Sequence, residues 1–234
     1  MRSVIPANVV RSDTTLAYYE GTNGRTGSTI ASTLLASMKL SDEFAAFARF
    51  AAVSNSPPSG EPGSSFVNPI LGGLYGVKLG SALRFAATLG VALPLGNGGG
   101  NTPNAQRAAA NAAGIRARSA MDNALFAVND LVLFPGVDLA FIQGGFTAQI
   151  EATLLQLTRV RGEDKQPDSS RTNFTSGVHV GYFLIPELSL GVELRHQRWL
   201  STPKAVSAAP ATRDTTTFAV GPRVHLKLAE KVWL

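Results

Sequence analysis

Long stretches of this chain alternate, residue by residue, between bulky apolar and small or polar side chains. From Thr172 to Ile185, Phe174, Val178, Val180, Tyr182 and Leu184 alternate with Asn173, Thr175, Gly177, His179 and Gly181. Leu188, Leu190, Val192 and Leu194 alternate with Ser189, Gly191, Glu193 and Arg195. Phe218, Val220, Val224 and Leu226 alternate with Thr217, Gly221, Arg223, His225 and Lys227. Successive side chains of a strand point to opposite faces, so each stretch predicts a strand with one oily and one polar side. Repeated over several long segments, the pattern fits a half-exposed antiparallel sheet or a membrane barrel.

Further segments extend it. Leu83, Phe85, Ala87, Leu89 and Val91 oppose Arg84, Ala86, Thr88, Gly90 and Ala92. Leu131, Leu133, Val137, Leu139 and Phe141 oppose Gly136, Asp138 and Ala140. Phe146, Ala148, Ile150 and Ala152 oppose Thr147, Gln149, Glu151 and Thr153, and the phase slips at Leu155, which predicts a bulge. Tyr75, Val77 and Leu79 oppose Gly76 and Lys78. Weaker strands are expected over Val9–Glu20, Thr29–Leu40 and Glu43–Ser54, where alanine on both faces hides the phase. That makes ten strands, with the start of an eleventh at Val232–Leu234.

The connections are sorted. Ser41-Asp42, Gly80-Ser81, Gln143-Gly144, Pro186-Glu187 and Ala229-Glu230 are tight turns. Between them lie the longer linkers 21–28, 55–65, 96–121, 161–171 and 201–213. Alternate connections of an up-and-down sheet lie at opposite ends, so every long loop falls at one end, as in outer-membrane barrels. The strands also approach the ~9–11 residues that cross a bilayer at a steep tilt. Tyr18, Tyr19, Phe44, Phe47, Phe66, Phe126, Trp199 and Trp233 lie near segment ends, where interfacial aromatic belts sit. In the longest loop, Thr102-Pro103 as helix start, an alanine-rich run and Gly114 as stop predict a short helix. It carries Arg107, with Arg116 and Arg118 just beyond. It can be a solvated loop helix, fold into the mouth, or bind anionic headgroups.

Composition narrows the classes. Charged residues are 16%, and mean hydropathy is only +0.09, so the chain is neither a disordered tail nor a helical membrane protein. No cysteine is present, which excludes a disulfide scaffold and thiolate zinc sites. The net charge of +5 is spread without a Lys/Arg block, so no nucleic-acid partner is implied. Metal motifs and a P-loop are missing, and no cofactor is implied.

The Gly-spaced hairpins resemble Gram-negative outer-membrane β-barrel proteins. The resemblance is carried by Leu71-Gly72-Gly73-Leu74-Tyr75 through Val91-Ala92-Leu93-Pro94-Leu95-Gly96, and by Gly177-Val178-His179-Val180-Gly181-Tyr182-Phe183. The Ala-Leu-Pro-Leu-Gly close of a strand before a Gly-rich loop is similar to small transporter- or porin-type barrels. The resemblance implies one antiparallel up-and-down transmembrane β-barrel domain over 1–234. It also implies a lipid bilayer and lipopolysaccharide as surroundings, and passage of small solutes. Even strand number and the missing start of a leader suggest a parent of about twelve strands, exported by a leader not present in this chain.

In that reading the polar face lines the lumen. The expected lining is Lys78, Arg84, Asp138, Gln149, Glu151, His179, Glu193, Arg195, Arg223, His225 and Lys227, extended by Arg11, Asp13, Lys39 and Arg49 on the N-terminal strands. Basic residues in this set outnumber acidic ones eight to four, which predicts a mild anion preference unless the charges pair and fill the lumen. His179, Glu193 and His225 could form a His–Glu–His cluster, but no nucleophile elbow accompanies it, and an enzyme is the weaker reading. Two alternatives stay open: a non-conducting barrel acting through its external loops, and a soluble lipocalin-like binder with its oily face inside.

Overall fold

The computed structural model describes residues 4–118, 122–162, 168–224, 227–229 and 232–233. Ten long strands follow one another in a single antiparallel, up-and-down sheet. They are β1 (Val9–Glu20), β2 (Thr26–Lys39), β3 (Phe44–Ser56), β5 (Ile70–Lys78), β6 (Leu83–Ala92), β7 (Asp130–Gln143), β8 (Phe146–Arg159), β9 (Ser170–Ile185), β10 (Leu188–Trp199) and β11 (Asp214–Val224). A short β4 (Gly63–Phe66) adds to the end of β3. The sheet curls into a half-barrel whose first and last members are β1 and β11. Lys227–Ala229 (β12) and Val232–Trp233 (β13) pair with each other in a separate hairpin, so the expected eleventh strand does not extend the main sheet.

The outer face is the oily one. Phe85, Leu139, Ile150, Val178, Leu194 and Phe218 are register partners across six strands, an unbroken apolar row. Ile150 is 53% exposed, Val178 and Leu194 45% and Phe218 65%. A second row, Phe141–Ala148–Val180–Val192–Val220, runs beside it. From Phe146 to Leu154 the outward side chains of β8 span about 27 Å at ~3.4 Å per residue. At a tilt of about 40° this is about 21 Å, close to the ~25 Å apolar band of a membrane barrel.

The inner face is covered, and it is covered from both ends. At the long-loop end, α1 (Ala105–Ala117) and α2 (Asn123–Phe126) fold inward. Ala110, Leu125 and Phe126 join Val53, Val67, Ile70, Val132, Leu155 and Leu157 in the main apolar core. The solvated loop helix is therefore corrected: α1 buries Ala110, Asn111, Ala113 and Gly114. Its N-cap is Asn104, whose side-chain oxygen accepts from the Arg107 N–H at 3.0 Å, rather than Thr102. Gly114 is not the stop. A Cβ there would meet the Phe126 ring at 2.6 Å and Val53 at 2.7 Å, so glycine lets the helix lie against the wall. At the opposite end Val4 and Pro6 are buried, and Val4 packs with Leu74, Ala86, Ala140 and Ile142.

Two further expectations change. No bulge occurs at Leu155, because β8 and β9 keep one register from Phe146 to Thr158. Leu155 and Leu157 are apolar and inward-facing because they pack in the core that α2 joins. The aromatic belt is divided: Tyr18, Phe44 and Phe66 are exposed, whereas Phe126 is buried and Phe47 and Trp199 pack against the inner core. Tyr19 turns inward and donates to Asn55 Oδ1 at 2.7 Å. Trp233 has no described side chain. The turn at 144–145 is a tight one, with Gly144 at φ 58° and Gly145 at φ 82°, values that favour glycine.

Candidate functional site

Antiparallel register carries the polar residues of β7–β10 into two adjacent rows on the inner face. One row reads Asp138–Glu151–Gly177–Arg195, and the next Ala140–Gln149–His179–Glu193. Asp138, Gln149 and His179 are buried. Gln149 donates to Asp138 Oδ1 at 3.1 Å. Arg195 donates to Glu193 on its own strand and reaches Glu151, 3.3 Å away, across the intervening strand.

Glycine makes that reach possible. A Cβ on Gly177 would lie 3.0 Å from Glu151 Cγ and 3.1 Å from its Oε1. The imidazole of His179 lies over Gly181 and Gly191, where added Cβ atoms would sit 2.9 Å from Nε2 and 3.0 Å from Cε1. The small residues that give the strands their alternation thus clear the floor on which the charged side chains lie.

Nearer the long loops, a second network ties the inward-folded segment to the wall. Asp122 accepts from Arg118 Nε at 2.8 Å and from Arg49 of β3 at 3.2 Å. Arg118 also donates to Thr15 of β1 at 3.1 Å, and Asn123 donates to Gln197 of β10 at 2.8 Å. The segment therefore spans from the first strand of the sheet, β1, to its ninth, β10. Burial alone would raise the Asp122 carboxyl, but the adjacent Arg49 and Arg118 outweigh it and hold the group down to about 2. Above these, the buried Asp130 accepts from Arg159 at 2.7 Å and from Arg171. Arg161 donates to the Pro94 carbonyl at 2.6 Å and to that of Gly96 at 3.1 Å.

The remaining expected lining residues are dispersed. Lys78 is exposed at the turn end. Arg84 spends its guanidinium on the carbonyls of Gly80, Ser81 and Leu83. Arg11 pairs with Asp13 at 2.9 Å, and Lys39 with Asp42 at 2.6 Å. Arg107 and Arg116 are exposed, and of the three loop-helix arginines Arg118 is the one tied into the wall network. His179 and Glu193 are register partners, while His225 lies outside the described residues, as do the side chains of Arg223 and Lys227. His196 is on the outer phase, with Nδ1 3.0 Å from Thr216 Oγ1.

Sequence reasoning missed Asp122, Arg159, Arg161 and Arg171 because they sit in or beside loops, where alternation says nothing. Only their proximity to the alanine-rich segment and to the strand ends marked them.

Two solved structures are similar to this chain. A crystal structure of an outer membrane channel from Pseudomonas putida F1 has 15% identity and a TM-score of 0.49, covering 80% of this chain and 69% of that one. The NanC porin has 11% identity and a TM-score of 0.44, covering 92% of this chain and 93% of that one. No protein-family model matches the sequence, and no curated protein does either.

Proposed function

We propose that this chain is an outer-membrane barrel protein that gives small solutes a passive route along its polar inner face. The observation that carries the reading is the inversion of an ordinary sheet. The aliphatic rows around Ile150 and Val178 face outward, while Asp138, Gln149 and His179 are buried inside. An exposed apolar surface of this extent is costly in water and favourable in hydrocarbon. A soluble lipocalin-like binder requires the opposite arrangement. The surroundings are then a lipid bilayer, with the long loops and their exposed Arg107 and Arg116 on the side where lipopolysaccharide would be met.

A second reading is favoured by one specific feature. Both ends of the inner face are occupied, by α1–α2 and by residues 4–6, as in a barrel that serves as a scaffold without conducting. Reconstitution of the full chain into planar bilayers separates the two. Passage of solutes predicts discrete conductance steps, and liposomes carrying the protein should swell in isotonic small sugars. Current indistinguishable from bare lipid, with correctly folded protein in the membrane, would leave the scaffold reading.

A further inference from the structure

Across β6–β11 one level of the inner face carries no charge. Thr88, Gly136, Thr153, Thr175, Gln197 and Thr215 are register partners there, next to the row of Glu151 and Arg195. Thr88, Thr153 and Gln197 are buried. Two residues nearer the long loops, Leu155, Asn173 and Trp199 are partners on β8, β9 and β10. Leu155 and Trp199 pack in the core that α2 joins, and Asn173 between them is fully buried. Neither its amide nitrogen nor its amide oxygen has a hydrogen-bond partner among the described residues. A buried amide left unmet is costly, and an apolar side chain would suit these neighbours better. Gln197 is met by the inward-folded segment: Asn123, the first residue of α2, donates to its Oε1 at 2.8 Å.

From this arrangement we infer that Asn173 and Gln197 form a binding step for neutral polyhydroxylated solutes, sugars and sugar alcohols, and that Asn123 holds it closed. The solute class follows from the amide of Asn173. Whichever way that group is turned, one atom donates, the other accepts, and both are unmet. A carboxylate would meet the nitrogen and be repelled by the oxygen, and an ammonium group would do the reverse. A hydroxyl both donates and accepts, so adjacent hydroxyls of one solute can serve Asn173, Gln197 and the threonine row together. The Asn123 N–H already fills one of these positions with a donor of the chain's own, so solute and α2 compete for Gln197. The inference rests on the passage reading for its context, but the binding it describes can be read without conduction, so the two fail separately.

The test uses Trp199 as its reporter. The chain has two tryptophans, so Trp233→Phe leaves the one beside Asn173 as the sole indole. In that background the full chain, folded into phosphatidylcholine vesicles, is titrated with glucose and with sorbitol, and in parallel with potassium acetate and ammonium chloride. Both neutral probes should shift the Trp199 emission saturably, and the two salts should not. Asn173→Val keeps a side chain of similar size without the amide and should weaken binding at least about tenfold, the equivalent of one to two neutral hydrogen bonds. Asn123→Ala removes the internal competitor and should tighten binding about fivefold, one hydrogen bond's worth. The two variants move in opposite directions, so a general loss of packing cannot imitate the result. Asn123→Ala also keeps the inference testable should the Asn173 variant fail to fold. A folded protein that responds to neither glucose nor sorbitol, a response shared with acetate or ammonium, or one affinity common to all three proteins overturns the inference. Saturable binding in a protein that passes no current would uphold the site and overturn the passage reading alone.

Discussion

Asp122 is the hinge pin of the inward-folded segment, and its replacement by asparagine should release α1. The carboxyl lies at about 2 against an ordinary 3.8, because Arg49 and Arg118 together outweigh the burial that opposes its charge. At about 1.4 kcal/mol per unit, that displacement corresponds to about 2 kcal/mol favouring the docked segment. The group is largely shielded, with 11% of its side chain exposed, so screening discounts little of this. Because the folded value is lowered, the contribution is complete above about pH 4 and is lost as pH falls toward 2. Asp122→Asn removes it at every pH and leaves two guanidinium groups facing one neutral amide. Hydrogen exchange over Asn104–Arg118, corrected for intrinsic rates, should quicken roughly thirtyfold at neutral pH, the equivalent of about 2 kcal/mol. In wild type the same amides should hold their protection down to about pH 4 and lose it below. Unchanged protection in Asp122→Asn, with the strand amides intact, would refute the anchoring role.

Two other substitutions probe the contacts on either side of the sheet. Gly63→Ala places a Cβ 2.3 Å from the Gln106 carbonyl oxygen, a backbone atom that can yield only if α1 shifts, so a loss of about 1–3 kcal/mol is expected in thermal or denaturant unfolding. Ile150→Arg puts a charge at the centre of the outer apolar row and should cost about 2–4 kcal/mol in a bilayer, read by denaturant titration in liposomes; a cost near zero would place that row outside the hydrocarbon.

Most of the sheet was legible because alternation reports burial directly wherever one face meets a contrasting environment. Thr172–Ile185 shows it most clearly, with Gly177 and His179 inside and Val178 and Val180 outside. The signal failed where the inner face is itself apolar. Leu155 and Leu157 look like a change of phase, but they face the same way as Glu151 and Thr153 and differ only in packing within the core that α2 joins. Trp199 and Phe47 were misplaced for the same reason. The docking of α1 left little trace, since a run of alanines has no marked oily stripe, and Gly114 is equally consistent with a helix end and with close approach to Val53. Of the polar wall, the rows of Asp138, Glu151, His179 and Glu193 follow from strand phase. The reach of Arg195 across Gly177 does not, because it depends on which strands are neighbours and in what register.

The claim beneath all of this is that aliphatic side chains face lipid while polar ones face the interior. The chain has no cysteine, so single cysteines can be introduced without background and spin-labelled. Labels at Ile150, Val178 and Leu194 on one face, and at Glu151, Gly177 and Arg195 on the other, should be compared in bilayers for relaxation by oxygen and by a water-soluble nickel chelate. The prediction is alternation with a period of two: oxygen-dominated relaxation at the first three positions and none of that excess at the second three. Nickel-dominated relaxation at Ile150, Val178 and Leu194 would contradict it and show that the oily rows do not meet a membrane.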